Sequence, residues 1–499
     1  MRIPHRKQQY LGCTSVTQVA LNTNCRDRII PILRALQHLY SRPQLRQKAL
    51  DLIAEDVLQD ADPQQGRPGL TWWQILVLAA VRLGCDFTYD HLQDLAENHR
   101  NLRHIMQVFG DWEEESFDFR RIRDNLCRVR PETIEAINHL IVAEGHRLDP
   151  SAAETVRGDS FVAETNIHYP TESSLILDGL KKILLLAPEL ASLIDVSGWR
   201  QHKSLSKKAK KAAREIGRLN KDGDYQARLQ ASYGKLLDIA QRVLSRTQEL
   251  LDQALQNVAI ADTQSPRGEA ASLAGKVMFL REELTYWHAA TTQVCSTAWR
   301  RVTQGESVPN SDKLFSLFEP DTELIKRGKA SQPIQYGHKV LVIEDALGFI
   351  CHYKIVPLAT DDREILIPEF KRLQQRLRGR IQRASFDRGF HSVENQTELA
   401  KLVEHPCLPK PGVKQAAEQE AQASVEFRQA RQKHSGIESA IGALQSGNAL
   451  ARCRDHSQVG YARYIGLGIL GRNLLMLGKL LLSREQPDSL AACSLRDAA

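Results

Sequence analysis

One strand-forming stretch, ETVRGDSFVAETNIHYP at residues 154–170, lies between two long helical regions and constrains the fold more than any other feature. It is rich in Val, Thr, Phe and Ile, has few helix formers and ends in proline, so it reads as one strand or two short ones carrying Asp159. Strand character returns at GHKVLVIEDALGFICHYKIVPL, where the turn residues Asp345 to Gly348 join two runs into a hairpin. A helix in REILIPEFKRLQQRLRGR comes next, then a short strand QRASFD ending on Asp387, a helix in SVENQTELAKLV and a last short strand in HPCLPK. Helices through GIESAIGALQ and from Val459 to Leu482 complete the pattern. Strand, hairpin, helix, strand, helix, strand, helix is a mixed α/β core. The Leu-rich helical block at 171–320 then reads as an insertion into that core.

Ahead of the first strand, residues 1–150 read as an all-helical domain. Ile29, Ile30, Ile32, Leu33, Leu36 and Leu39 have the spacing of a short basic helix near residues 27–40. After a Pro- and Gly-rich loop from Asp62 to Leu70, Thr71 opens the apolar helix WWQILVLAAVRLG, ended by Gly84. Beyond it lie the helical patterns of DFTYDHLQDLAENH and RIRDNLCRVRPETIEAINHLIVAEG, with Arg120, Arg121, Arg123, Arg128 and Arg130 nearby. Such an arrangement is compatible with helix-turn-helix DNA binding, and equally with a helical bundle whose arginines are solvated.

The 499 residues carry 67 Lys+Arg and 60 Asp+Glu, a net charge of +7, so what matters is where the excess sits. The first fifty residues hold nine Lys/Arg and one acid, Asp27, a local excess of +8. A second cluster runs from Lys203 to Lys221, in which Lys207, Lys210, Lys211, Arg214 and Arg218 recur at intervals of three and four. One helix face there is positive and suited to a phosphate backbone. The apolar run from Ile465 to Leu482 is broken by Arg472 and Lys479, which argues against a membrane span, and the N-terminus is too polar for a signal peptide. Nine single cysteines without a CxxC pair suggest neither a disulfide framework nor a thiolate zinc site, so the expected location is cytoplasmic.

No glycine-rich phosphate loop, Ser-His-Asp motif or HExxH helix is present, which leaves carboxylates as the candidates for chemistry. Asp159 on the first strand and Asp387 at the end of a later one can converge, because sites in open α/β sheets form at the carboxyl ends of strands. The third candidate is Glu438, with Arg431, His434 and Gln445 at helical offsets that place all four on one face. Three such acids suit a pair of Mg²⁺ ions, which take oxygen ligands and support in-line phosphoryl displacement. Competing acids have simpler roles: Glu344 and Asp345 in the hairpin turn, Asp361 and Asp362 as caps of the helix starting at Arg363, and Asp321 and Glu323 as loop charges before the RGK run at 327–329.

Taken together, RGDSFVAETNIHYPTESSLILDG, LFEPDTELIKRGKA with GHKVLVIEDALGFICHY, ASFDRGFHSVEN, and KHSGIESAIGAL with GRNLLMLGKLLL resemble a bacterial insertion-sequence DDE transposase, closest to the ISNCY group. The resemblance runs from about residue 70 to 482. It implies a ribonuclease H-like catalytic core (mixed sheet with flanking helices), interrupted by the helical insertion at 171–320 and preceded by the N-terminal DNA-binding domain at 1–150. Residues 151–170 supply the first strand, 321–455 the remainder of the core and 456–499 a C-terminal helical segment and tail. The implied DDE triad is Asp159, Asp387 and Glu438, holding two Mg²⁺ ions for which Mn²⁺ can substitute. Related families carry Tyr-x2-Arg-x3-Glu-x6-Lys around the third acid; here Arg431, His434 and Gln445 stand at the Tyr, Arg and Lys positions, and the Glu alone is kept.

The activity implied is hydrolytic nicking at a transposon end, then attack of the freed 3′-OH on target DNA. Its partner is double-stranded DNA, both transposon ends and target, with a homodimer in the synaptic complex, a nucleoid-associated location and no membrane. Expected DNA contacts are Arg388, Arg431, His434, Lys207, Lys210, Lys211, Arg214 and Trp299. Trp287 and Trp299 lie in the insertion, where related transposases stack aromatics on a flipped base; core packing is the alternative for either. A catalytically inactive DNA-binding regulator and a ribonuclease H-like nuclease that cuts without joining are the alternative functions.

Overall fold

The computed structural model describes residues 2–6, 14–59, 62, 69–109, 116–262, 269–326, 333–412, 419 and 422–485. Most of the expected loop at 62–70, the RGK run at 327–329 and the tail beyond residue 485 lie outside them. The chain forms two compact units, residues 1–166 with 337–499, and residues 167–336.

The first unit opens with helices α1 (Ile29–Ser41), α2 (Pro43–Leu58), α3 (Trp72–Gly84), α4 (Tyr89–Asn98), α5 (Arg100–Ile105), α6 (Phe119–Arg128) and α7 (Pro131–Leu148). Strand β1 (Thr155–Glu164) comes next, ahead of the second unit, which contains α8 (Glu172–Leu193), α9 (His202–Gly217), α10 (Tyr225–Asp262), α11 (Glu269–Ala298) and β2 (Glu323–Lys326). Strand β3 (Ile334–Asp345) leads back into the first unit, which continues with β4 (Ile350–Ile355), α12 (Asp362–Arg376), β5 (Arg383–Phe386), α13 (Val393–Leu402) and β6 (His405–Cys407). Helices α14 (Val425–His434), α15 (Gly436–Gly447) and α16 (Gln458–Glu485) end the described chain.

The sheet is mixed. Its order is β4-β3-β1-β5-β6, with β2 also paired to β3. β1, β3 and β4 run antiparallel in sequence, whereas β5 lies parallel to β1 and β6 parallel to β5. A parallel neighbour requires a crossover, and α12 and α13 supply the connections between β4 and β5 and between β5 and β6. The expected strand, hairpin and helix order is therefore present, and Asp159 is on β1.

Helix α16 organises the rest of this unit. By length and composition it passes for a membrane span despite Arg472 and Lys479, but 72% of its apolar window is buried among α1, α3 and α7. Its hydrophobicity thus serves a protein core. The sequence divides the chain at residue 150; in the structure the N-terminal helices share one compact unit and one hydrophobic cluster with the sheet. Part of the N-terminal charge is used internally, since Arg28 donates to the Gly447 carbonyl, Arg34 pairs with Glu485 and Arg130 pairs with the buried Asp56.

The second unit is a helical body around Leu180, Ile183, Leu190, Leu236, Val243, Leu284 and Trp287. On α9, Ala209, Ala212 and Ile216 face inward. Lys207, Lys210, Lys211 and Arg214 are exposed on the other side, as their spacing predicts. Trp287 is buried with its ring edge-on to Phe318, which is core packing, whereas Trp299 is 47% exposed.

Candidate active site

β1 alternates its side chains, so Arg157 and Asp159 share one face of the sheet while Gly158 and Ser160 take the other. Across that first face Arg157 stands opposite Glu344 of β3 and Ser385 of β5. Gly158 is opposite Phe386, the last registered pair of β1 and β5. Asp387 continues in extended backbone, so Asp159 and Asp387 are the next residues of two adjacent parallel strands. Neighbouring strands are about 4.8 Å apart, and equal parity directs both carboxylates to the same face. The two aspartates are therefore brought together although far apart in sequence.

Close packing on the opposite face holds this register. A Cβ on Gly158 would lie 2.4 Å from Cε1 of Phe386, whose ring is fully buried against Phe370 and Phe390. Only glycine lets β5 approach β1 with that ring between them and α12.

Behind the aspartates is a row of charges. Glu344, 1% exposed, receives Arg157 Nε at 2.8 Å and Nη2 at 2.7 Å, with Arg472 Nη2 at 3.5 Å. Burial pushes the Glu344 carboxyl up, against the opposing pull of Arg157 and Arg472. Arg157 also donates from Nη1 to the Lys433 carbonyl at 2.9 Å, tying the end of α14 to β1. Glu344 thus anchors an arginine, not the turn expected for it.

His434 is buried, with Nδ1 3.2 Å from Ser385 Oγ. Burial, then the nearby Arg431 guanidinium, holds its imidazole below the ordinary value, so at neutral pH the ring is uncharged. Arg431 Nη1 reaches Asp387 Oδ1 at 3.4 Å, and the Asp387 side chain is 43% exposed. Exposed Arg388 lies in the turn after Asp387. Arg388, Arg428, Arg431 and Lys410 line one cleft of about 490 Å³. Sequence reasoning does not single out Arg428 and Lys410, although Arg428 is one helical turn before Arg431.

Glu438 is exposed in the first turn of α15. This helix packs on β1, and its Gln445 donates to the Val162 carbonyl at 3.4 Å. α15 therefore runs alongside β1 in the same direction, with Glu438 toward the Arg157 end. Of the residues expected on one helix face, Arg431 and His434 lie on α14 and Glu438 and Gln445 on α15, the two helices meeting at Ser435, whose Oγ donates to the Gln432 carbonyl. His434 is buried against Ser385 of the sheet, whereas Glu438 is exposed and α15 buries Ile437, Ala440, Ile441 and Leu444 instead. Among the competing acids, Asp361 caps α12 by accepting from Arg363 N at 2.9 Å, and Asp362 takes Lys339 Nζ at 3.0 Å.

Asp159, Asp387 and Glu438 offer only oxygens and are solvent-accessible, the ligand type that suits Mg²⁺, but among the described residues one carboxylate oxygen from each does not lie within 4.8 Å of the others. The remaining expected DNA contacts, Lys207, Lys210, Lys211, Arg214 and Trp299, belong to the second unit. Comparison with protein-family models, curated proteins and solved structures finds no match for this chain.

Proposed function

We propose that this protein is a DNA transposase of an insertion sequence, with Asp159, Asp387 and Glu438 as its metal-holding acids and a ribonuclease H-like core interrupted by a helical insertion. The observation that carries this reading is the juxtaposition of Asp159 and Asp387 on adjacent parallel strands, with α15 packed along β1. A strand order of β4-β3-β1-β5-β6 with three antiparallel and two parallel members supports the core assignment.

Two Mg²⁺ ions bound there would stabilise the attacking and leaving oxygens of an in-line displacement, first by water and then by the 3′-OH. Around them the chain supplies positioning. Arg431 and Arg388 hold the scissile strand by its phosphates, and His434, neutral and fixed on Ser385, keeps α14 seated on β5. The exposed cations of α9 and Trp299 contact the flanking duplex. Two copies pair the transposon ends, in the cytoplasm at the nucleoid.

The test is a duplex carrying a transposon end incubated with a target plasmid and Mg²⁺. Wild type is expected to cut and join, and Asp159→Ala, Asp387→Ala and Glu438→Ala to do neither while still binding the end. An alanine variant that cuts at the normal rate removes that residue from the assignment. Cutting without joining supports a nuclease, and binding alone a regulator.

A further inference from the structure

Away from the carboxylates, α7 meets the β3–β4 hairpin at three side chains of different chemistry. His146 Nε2 is 2.7 Å from Asp345 Oδ2; Cys351 Sγ is 3.5 Å from that same oxygen and 3.9 Å from His146 Nε2. All three residues are at most 2% exposed, and one donor atom from each lies within 4.8 Å of the others. They come from three elements, the end of α7, the end of β3 and the start of β4.

The arrangement is held from outside. Asp345 Oδ1 accepts the backbone N–H groups of Leu347 and Phe349 at 2.9 and 3.0 Å, which leaves Oδ2 facing the histidine and the thiol. Gly145 lets α7 come this close, since a Cβ there would sit 2.7 Å from the Phe349 ring. The other histidine nitrogen, Nδ1, is buried without a hydrogen-bond partner among the described residues, so the ring's polar contacts are all with the cluster.

We propose that His146, Asp345 and Cys351 form a structural zinc site that clamps α7 to the hairpin. A nitrogen, a carboxylate oxygen and a sulfur are a donor set for Zn²⁺ and not for Mg²⁺ or Ca²⁺. With bonds of about 2.0–2.3 Å, tetrahedral ligands stand about 3.3–3.7 Å apart. The 3.5 Å sulfur–oxygen distance already fits, the 3.9 Å sulfur–nitrogen distance has to close by a few tenths of an ångström, and the His146–Asp345 contact has to open by at least about 0.6 Å. Loading releases the thiol proton of Cys351 to solvent, the neutral His146 ring keeps its single proton on Nδ1 so that Nε2 is free to bind, Asp345 binds as the carboxylate, and water completes the fourth position.

The experiment uses the full chain, assayed for metal as purified and, after chelation, titrated with Zn²⁺ and Co²⁺. Expected are about one zinc per chain, a rise in Tm with added zinc, and a near-ultraviolet sulfur-to-cobalt charge-transfer band. Cys351→Ala is expected to lose all three, and Cys351→Ser, which keeps the packing, to lose the band. Asp159→Ala, in the carboxylate site, is expected to keep them, which separates this site from the Mg²⁺ reading. A metal-free wild type with neither cobalt band nor Tm response, or a band that persists in either Cys351 variant, overturns the proposal.

Discussion

Asp159 and Asp387 each stand one residue beyond the last registered pair of β1 and β5, Gly158 and Phe386, so the parallel ladder itself sets the two carboxylates side by side. Anything that shifts β5 against β1 moves one acid relative to the other.

Gly158→Ala tests that dependence. The new methyl group meets the buried Phe386 ring at 2.4 Å, closer than real contacts allow, and the ring has no free space to enter. Overpacking of this kind costs about 1–3 kcal/mol. Urea unfolding is expected to read a loss in that range together with reduced DNA cleavage; unchanged stability would mean that β5 is not held by this contact.

Removing Arg157 exposes the cost of its partner. In Arg157→Met the buried Glu344 keeps only the 3.5 Å contact with Arg472, and breaking a buried pair from one side costs about 3–5 kcal/mol. Burial raises the Glu344 carboxyl in the folded state, so that state binds more protons than the unfolded chain. The destabilisation is therefore smallest at acid pH and grows as pH rises through the carboxylate range. Adding Glu344→Gln is expected to recover part of the loss. A flat pH profile for the single variant argues against a buried, unpaired Glu344 as the source of the loss.

His139 carries the opposite sign. Its Nε2 accepts from Arg376 Nη1 at 2.7 Å, which requires the neutral ring. Burial and the Arg376 charge push it down to about 4, with the Glu135 carboxylate 3.7 Å away insufficient to reverse this. The unfolded chain then binds the extra proton first, and stability present above pH ~6.5 is lost as pH falls toward 4. Unfolding midpoints measured between about pH 7 and 4.5 are expected to drop less steeply in His139→Gln than in wild type, by about 1–2 kcal/mol at the acid end. Parallel curves would remove His139 from the acid response.

The α9 face makes a quantitative DNA prediction. Changing exposed Lys207, Lys210, Lys211 and Arg214 to Gln is expected to weaken duplex binding and to flatten the slope of log K against log salt. Each lost phosphate contact lowers that slope by roughly 0.9. Unchanged circular dichroism with an unchanged slope would exclude this face from the interface.

Much of the architecture was legible because local pattern encodes local structure. The alternation of β1, the turn residues of the β3–β4 hairpin and the helical spacing of α1 and α9 each correspond to the element found. The use of α16 was less visible, since an apolar helix reads the same whether its partner is lipid or, as here, α1, α3 and α7. Spacing alone does not show that two helices, α14 and α15, meet at Ser435, or that His434 is buried while Glu438 is exposed, because burial depends on what packs against each helix.

By itself the sequence determined which residue types are available, three acids on a strand, a strand end and a helix, and where positive charge collects. Single cysteines without a CxxC pair gave no reason to expect a metal cluster, and His146, Asp345 and Cys351 are 199 and 6 residues apart in order. Tertiary structure decided which of these groups meet. Strand pairing joins β1 to β5 and helix packing sets α7 on the hairpin, and both arise from burial of apolar faces far from one another in the chain.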